Sequence, residues 1–288
     1  MHDLDYLEPP SVAEASRIAA DLGDNARFMA GGTALMLALR QRMLRPSHLV
    51  SLSRLSPLRG IDVDAQGALR FGALTLHNDL ATSPVVRLHA SMLADMAAKV
   101  ANPQVRNQGT VGGNLCYADP STDPPACLLA LDARVVLASH RGVRELPMAE
   151  FFVDYFTTAI DADELLQTIV VPRLVPGTLG RYDRFLRTAA EHRPMVNVAA
   201  LARLDGGVCV EARIVVGAAV AVTQRIGAAE DCLLGHVPSE ERIESAAAAA
   251  VASISPLDDL RGSAAYRREM VGVQVRRTLT QLFNLTRK

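Results

Sequence analysis

Helical and strand periodicities change order once along the 288 residues, and the change falls on a segment rich in chain breakers. Pro172 is followed by Pro176 and Gly177 within residues 172–180, and neither a helix nor a central strand runs through such a stretch. Upstream, the elements alternate. Ser11 stands as an N-cap before Val12, Ala15, Ile18, Ala19 and Leu22 at helical spacing, and Gly23 closes that helix. A short apolar approach over 27–30 meets Gly31-Gly32, a helix is predicted over 33–43, Pro46 stops it, and 48–52 reads as a strand. Such alternation predicts a parallel or mixed sheet. Strands at 61–63 and 69–73, a helix over 85–100, a polar Gly-rich loop over 101–113, a strand at 134–139, a helix near 148–152 and a strand at 165–171 complete the first part. Downstream, strands come first and helices last. Runs at 196–204 and 208–218 flank Asp205-Gly206-Gly207, a hairpin signal, and helices follow over 239–253 and 264–283. The division predicts domains at 1–177 and 178–288, consistent with a length of roughly 150 residues per domain.

Charge and cysteine usage remove several function classes. Thirty Lys and Arg face 31 Asp and Glu, for a formal net charge of -1, so the positive field needed for non-specific nucleic-acid binding is missing. Aromatics make up 4% with no Trp, which leaves little for base stacking. The opening MHDLDYLEPP has acids and neither a basic nor an apolar segment of a signal peptide, and no apolar run reaches the length of a membrane span. These features predict a cytoplasmic protein without membrane insertion. Cys116, Cys127, Cys209 and Cys232 form no C-x-x-C pair and lack the grouping of zinc or iron–sulfur ligands, so all four read as small buried apolar side chains.

Two glycine pairs carry the candidate chemistry. Ala30-Gly31-Gly32-Thr33-Ala34 lies between an apolar run and a helix, and Thr110-Val111-Gly112-Gly113-Asn114 lies further on. Paired glycines let a ligand approach the backbone, and N–H groups at a helix N-terminus point at anionic oxygens. Neither segment is G-x-G-x-x-G or a P-loop. Each alone is equally the mark of a tight turn, whereas two in one chain fit a diphosphate held from both sides. Asp123, in the run Ala118-Asp119-Pro120-Ser121-Thr122-Asp123-Pro124-Pro125, has two readings: an N-cap, or an acceptor for a ribityl or ribose hydroxyl.

The motifs AGGTALM, RPSHLVSL, NPQVRNQGTVGGNL and ADPSTDPPACLLALDA, in this order and spacing, resemble the FAD-binding medium subunit of molybdenum hydroxylases. This is the family of the carbon monoxide dehydrogenase flavoprotein and of the xanthine dehydrogenase FAD domain. The resemblance spans essentially the whole chain. It implies an α+β fold: a two-lobed vanillyl-alcohol-oxidase-type (PCMH-type) FAD-binding domain, with lobes at about 1–57 and 58–177, followed by a small α+β C-terminal domain of the CO dehydrogenase flavoprotein type at 178–288. It implies that the FAD diphosphate sits between Ala30, Gly31, Gly32, Thr33 and Ala34 on one side and Thr110, Gly112, Gly113 and Asn114 on the other. Asp123 matches the family's ribityl contact, and Leu165 matches a leucine near the flavin. Leu186 falls where the family often has Lys, which leaves Arg184, Arg187 or no residue as the cation there, with Arg187 the assigned contact. His192 and Arg193 lie where the family approaches the isoalloxazine.

The resemblance further implies an oxidoreductase subunit without catalytic or metal-ligating residues of its own. Substrate, in the family an N-heteroaromatic, a purine or CO, is oxidised at molybdopterin in a large subunit. Two [2Fe-2S] clusters in a small subunit pass electrons to FAD in this one and on to an external acceptor. The assembly expected is a dimer of heterotrimers. The rival reading is a stand-alone FAD-dependent oxidoreductase. In the last helix, apolar Met270, Val273, Leu279, Leu282 and Phe283 lie beside Arg267, Arg268, Arg276 and Arg277. That helix reads as packed on its own sheet with a solvated basic face, the alternative being a face that docks a partner.

Overall fold

The computed structural model describes residues 4–188 and 190–285. Residues 1–3 of the acidic opening segment lie outside them. The first lobe is a three-stranded parallel sheet in the order Asp5–Leu7, His48–Ser51, Ala26–Met29. The helix Val12–Leu22 crosses between its outer strands and begins as predicted: the Ser11 hydroxyl accepts the Glu14 N–H, and Gly23 ends it at φ +52°. Ala15, Ala26, Val50, Leu52, Leu55, Leu58, Leu74 and Leu165 form its core.

The second lobe is a five-stranded antiparallel sheet in the order Ile61–Val63, Leu69–Gly72, Leu165–Val171, Arg134–Ser139, Gly142–Pro147. Its apolar face is covered by the helices His77–Thr82, Pro84–His89, Ser91–Lys99, Val111–Tyr117 and Pro124–Ala130. Leu165 and Leu166 leave the strand in opposite directions, as successive strand residues must. Leu165 enters the first core and Leu166 the second, so this strand joins the lobes.

The C-terminal sheet has the order Leu179–Phe185, Val196–Asp205, Val208–Gly217, Gln224–Arg225, with the predicted hairpin at Gly206-Gly207. Both of its faces are buried. Val196, Val198, Ala200 and Ala202 face the helices Glu240–Ala252 and Ala264–Leu282, while Ala199, Leu201, Val215 and Tyr182 join the core of the second lobe. Double burial explains why residues 198–202 and 214–216 of this hairpin are apolar at successive positions rather than alternating.

Three segments differ from the sequence-based expectation. The helix expected over 33–43 covers only Leu35–Arg40, because Gly32 at φ +71° delays its start and Arg42 at φ +58° follows its end. The helix expected over 85–100 breaks at Ala90, whose ψ of 66° is not helical. The loop expected over 101–113 contains the helical turn Pro103–Arg106, and Gly112 and Gly113 lie inside the helix Val111–Tyr117. Two glycines weaken a helix. The Thr110 cap and the buried Val111 and Leu115 hold this one in place.

Two further expectations need correction. Cys127 and Cys209 are buried, but Cys232 is only partly covered and Cys116 is exposed. Helix Val111–Tyr117 turns Val111, Gly112 and Leu115 inward, which leaves Gly113 and Cys116, three residues apart, on its outer side. In the last helix Arg267 is not on a solvated face. It is fully buried, donating to the carbonyl oxygens of Met195 and Ala218 at 3.0 Å each and to both carboxylate oxygens of Asp259 at 2.8 and 2.7 Å. The apolar side of this helix packs into its own core, and Arg276 pairs within the chain with Glu244. No helix among the described residues is long and apolar enough to cross a membrane.

Candidate functional site

The first glycine pair lies at the carboxyl end of strand Ala26–Met29 and leads into helix Leu35–Arg40, the position where parallel α/β sheets bind ligands. The second pair opens helix Val111–Tyr117. This second segment is fastened from behind: Val111 N–H donates to the Thr75 carbonyl at 3.0 Å, Gly112 N–H to that of Ala73 at 2.9 Å, and His77 N–H to that of Gly109 at 3.1 Å. The Thr110 hydroxyl accepts the Gly113 N–H at 3.1 Å.

Tertiary folding brings the two glycine segments into direct contact. A Cβ built on Gly31 would fall 2.1 Å from the Gln108 carbonyl oxygen, and one on Gly113 would fall 3.6 Å from the Ala30 Cβ. The glycines therefore have separate tasks. Gly31 admits the second segment, Gly32 supplies a left-handed turn, and Gly112 rests on Ala73, whose Cβ would be 2.5 Å from a new Cβ. Gly113 alone of the four is exposed.

The seam is rich in unused polar groups. Among the described residues, the N–H groups of Gly31, Gly32, Thr33 and Ala34 donate to no backbone or side-chain acceptor. The Asn114 side-chain oxygen is buried without a partner. Buried or clustered polar groups left unpaired are costly, and a run of free N–H groups before a helix suits phosphate oxygens. His77, behind the seam, has its pKa lowered to about 4 by burial and by Arg106, so it adds no positive charge at neutral pH.

Asp123 sits at the N-cap position of helix Pro124–Ala130, yet its side chain caps nothing. Its carboxylate instead accepts the Tyr182 hydroxyl at 2.5 Å and the Arg184 guanidinium at 3.2 Å. Burial raises its pKa, and the charge of Arg184 opposes that rise. Of the two candidate cations, Arg184 is the one brought to Asp123. Arg187 is exposed and pairs with Glu191 at 2.6 Å. Leu165 lies in the core of the first lobe. His192 and Arg193 are exposed, and Arg193 pairs with Asp119. The role of Tyr182 has no signal in the sequence, since nothing local marks a strand tyrosine as the partner of an aspartate 59 residues away.

Residues 2–174 match the family model of the FAD binding domain in molybdopterin dehydrogenase, and residues 182–282 match that of the CO dehydrogenase flavoprotein C-terminal domain. The chain belongs to the FAD-binding medium subunits of molybdenum hydroxylases. The 6-hydroxypseudooxynicotine dehydrogenase complex subunit alpha of Paenarthrobacter nicotinovorans is 37% identical over 284 residues, covering 98% of this chain and 95% of the relative. The carbon monoxide dehydrogenase medium chain of Hydrogenophaga pseudoflava is 34% identical over 275 residues, covering 96% and 95%. The solved structure of carbon monoxide dehydrogenase from that organism superimposes with a TM-score of 0.94 at 35% identity, over 98% of this chain and 97% of that one. As a medium subunit, this chain is an oxidoreductase flavoprotein with FAD as its cofactor. The free N–H groups beside Gly31 and the unpaired Asn114 oxygen fit that cofactor, because a dinucleotide offers both anionic oxygens and hydroxyl donors.

Proposed function

We propose that this chain is the electron-transfer subunit of a heterotrimeric molybdenum-containing hydroxylase. It passes electrons from two [2Fe-2S] clusters of a small subunit to an external acceptor. The substrate is oxidised at molybdopterin in a large subunit, and the complex pairs into a dimer of heterotrimers. The relatives named for a nicotine derivative and for carbon monoxide support an N-heteroaromatic or CO as that substrate, and a purine is the third candidate. Free cysteines throughout support a cytoplasmic location.

The observation that carries this reading is the seam between the glycine segments, with its unused N–H groups. FAD, when bound, supplies a carrier that takes electrons singly or in pairs. The residues of this chain supply its binding and orientation. Gly31, Gly32, Thr33 and Ala34, with Ala30 beside them, offer donors to the diphosphate from the first lobe. Thr110, Gly112, Gly113 and Asn114 close on it from the second. Asp123 accepts from ribityl hydroxyls, and Leu165 supports the flavin side through the joint between the lobes. Arg187 is the assigned cation near the flavin, and Arg184, which lies against Asp123, is the alternative. The domain limits follow the same logic: 1–177 holds the cofactor between lobes at about 1–57 and 58–177, and 178–288 closes over it.

The chain purified alone and reconstituted with FAD should acquire a flavin absorption spectrum, and a large and a small subunit should co-purify with it from its source. A chain that takes up no flavin would refute the reading. Flavin bleaching by an organic substrate added to the isolated chain would favour a stand-alone oxidoreductase instead.

A further inference from the structure

The turn 119–123 lies in the first domain, but the C-terminal half of the chain holds it almost residue by residue. Arg193 pairs with the Asp119 carboxylate. Arg261 donates to the Ser121 hydroxyl at 2.6 Å, and the Asn197 amide donates to the Thr122 carbonyl at 2.8 Å. The Tyr182 hydroxyl and the Arg184 guanidinium reach Asp123. Every one of these donors lies beyond residue 178.

The Asp123 pair is the most protected of these contacts. The side chains of Asp123 and Arg184 are 4% and 13% exposed, and Tyr182 is 2% exposed. A buried carboxylate is stable only with donors placed on it. A carboxylate has about four acceptor positions. Asp123 Oδ1 takes both donors, whereas Oδ2 takes Arg184 alone. The arrangement holds the carboxylate in one orientation and leaves acceptor capacity on it. A capping role would have used that capacity on the helix behind it, and the side chain makes no such bond.

We propose that Tyr182 and Arg184 are positioning residues for FAD: they hold the Asp123 carboxylate as acceptor for the hydroxyls of the flavin half, so that residues of the second domain set how tightly the first grips the flavin. The proposal rests on the reading of Asp123 as an FAD contact. It separates the two halves of the cofactor. The diphosphate half is held by the glycine seam, which Tyr182 and Arg184 do not touch. The flavin half depends on a carboxylate whose geometry comes from another part of the chain.

The test uses the full chain freed of FAD, as wild type, Asp123→Asn, Tyr182→Phe, Arg184→Gln and Arg184→Lys. FAD and ADP affinities are measured by calorimetry, with a urea midpoint for each FAD-free chain. Tyr182→Phe and Arg184→Gln should each weaken FAD about tenfold, the effect of losing a charge-assisted hydrogen bond. ADP affinity should stay within about twofold, and Arg184→Lys should recover most of the loss. A parallel fall in FAD affinity, ADP affinity and urea midpoint would make the contacts structural only and overturn the proposal. FAD affinity unchanged in both variants, with Asp123→Asn impaired, would overturn it while leaving Asp123 in the site. FAD affinity unchanged in Asp123→Asn would remove Asp123 itself. A wild-type chain that binds ADP and FAD equally would remove the flavin-half contact, and one that binds neither would refute the functional reading beneath it.

Discussion

The carbonyl oxygen of Gln108 occupies the space that a side chain on Gly31 would need, with only 2.1 Å to a Cβ built there. The obstructing atom belongs to the backbone, so no rotamer change relieves the clash. Gly31→Ala is therefore expected to push the two glycine segments apart. The cost should be about 1–3 kcal/mol, as for overpacked sites, together with loss of bound FAD. Urea unfolding of the FAD-free chain and the flavin content of the purified protein check both parts.

Gly112 and Gly113 are adjacent but face different surroundings. A Cβ on Gly112 meets the Cβ of Ala73 at 2.5 Å, whereas Gly113 is exposed and a Cβ there meets the Thr110 hydroxyl at 2.8 Å. Gly112→Ala should destabilise the FAD-free chain by about 1–3 kcal/mol through packing alone. Gly113→Ala should cost no more than the Thr110 cap, about 1 kcal/mol, and act chiefly on FAD affinity. Equal losses of stability in the two variants would contradict this division.

His77 stays neutral in the folded chain down to pH of about 4, because burial and the nearby Arg106 lower its pKa. Unfolded, it takes a proton below a pH of about 6.5. Between those values the unfolded state binds more protons, so stability falls as the pH falls, by about 3 kcal/mol in all. His77→Gln should flatten the stability profile between pH 6.5 and 4. Parallel profiles for wild type and variant would exclude this origin of acid sensitivity.

Arg267 ties three segments of the C-terminal domain by hydrogen bonds to Met195, Ala218 and Asp259. Arg267→Met keeps much of the volume but orphans two carbonyl groups and removes the bidentate partner of the Asp259 carboxylate, which keeps the N–H groups of Arg261 and Gly262. The expected cost is about 3 kcal/mol. Arg267→Lys should recover little, since an ammonium cannot reproduce the fork. Chemical denaturation midpoints measure both.

The elements that short-range chemistry controls were readable in the sequence. Ser11 and Gly23 bound the first helix as expected, and the Asp205-Gly206-Gly207 turn makes its hairpin. The alternation of elements in residues 11–52 yields a parallel sheet. Strand Gly142–Pro147 escaped notice because it is an edge strand, mostly exposed, with no apolar alternation to mark it. The second glycine pair reads as loop in the sequence because glycine is a poor helix former, and only the docking of Val111 and Leu115 into the core reverses that preference.

By itself, then, the sequence determined the local events: caps, turns, the glycine pairs and the presence of a carboxylate at Asp123. Each depends on residues a few positions apart, and their chemistry acts at that range. Tertiary structure alone decided which glycine faces backbone and which faces solvent. It also decided that Arg184 rather than Arg187 meets Asp123, and that Arg267 is a core residue instead of a surface charge. Those outcomes depend on sheet register and on contacts between residues tens of positions apart, where one step along a strand turns a side chain to the opposite face.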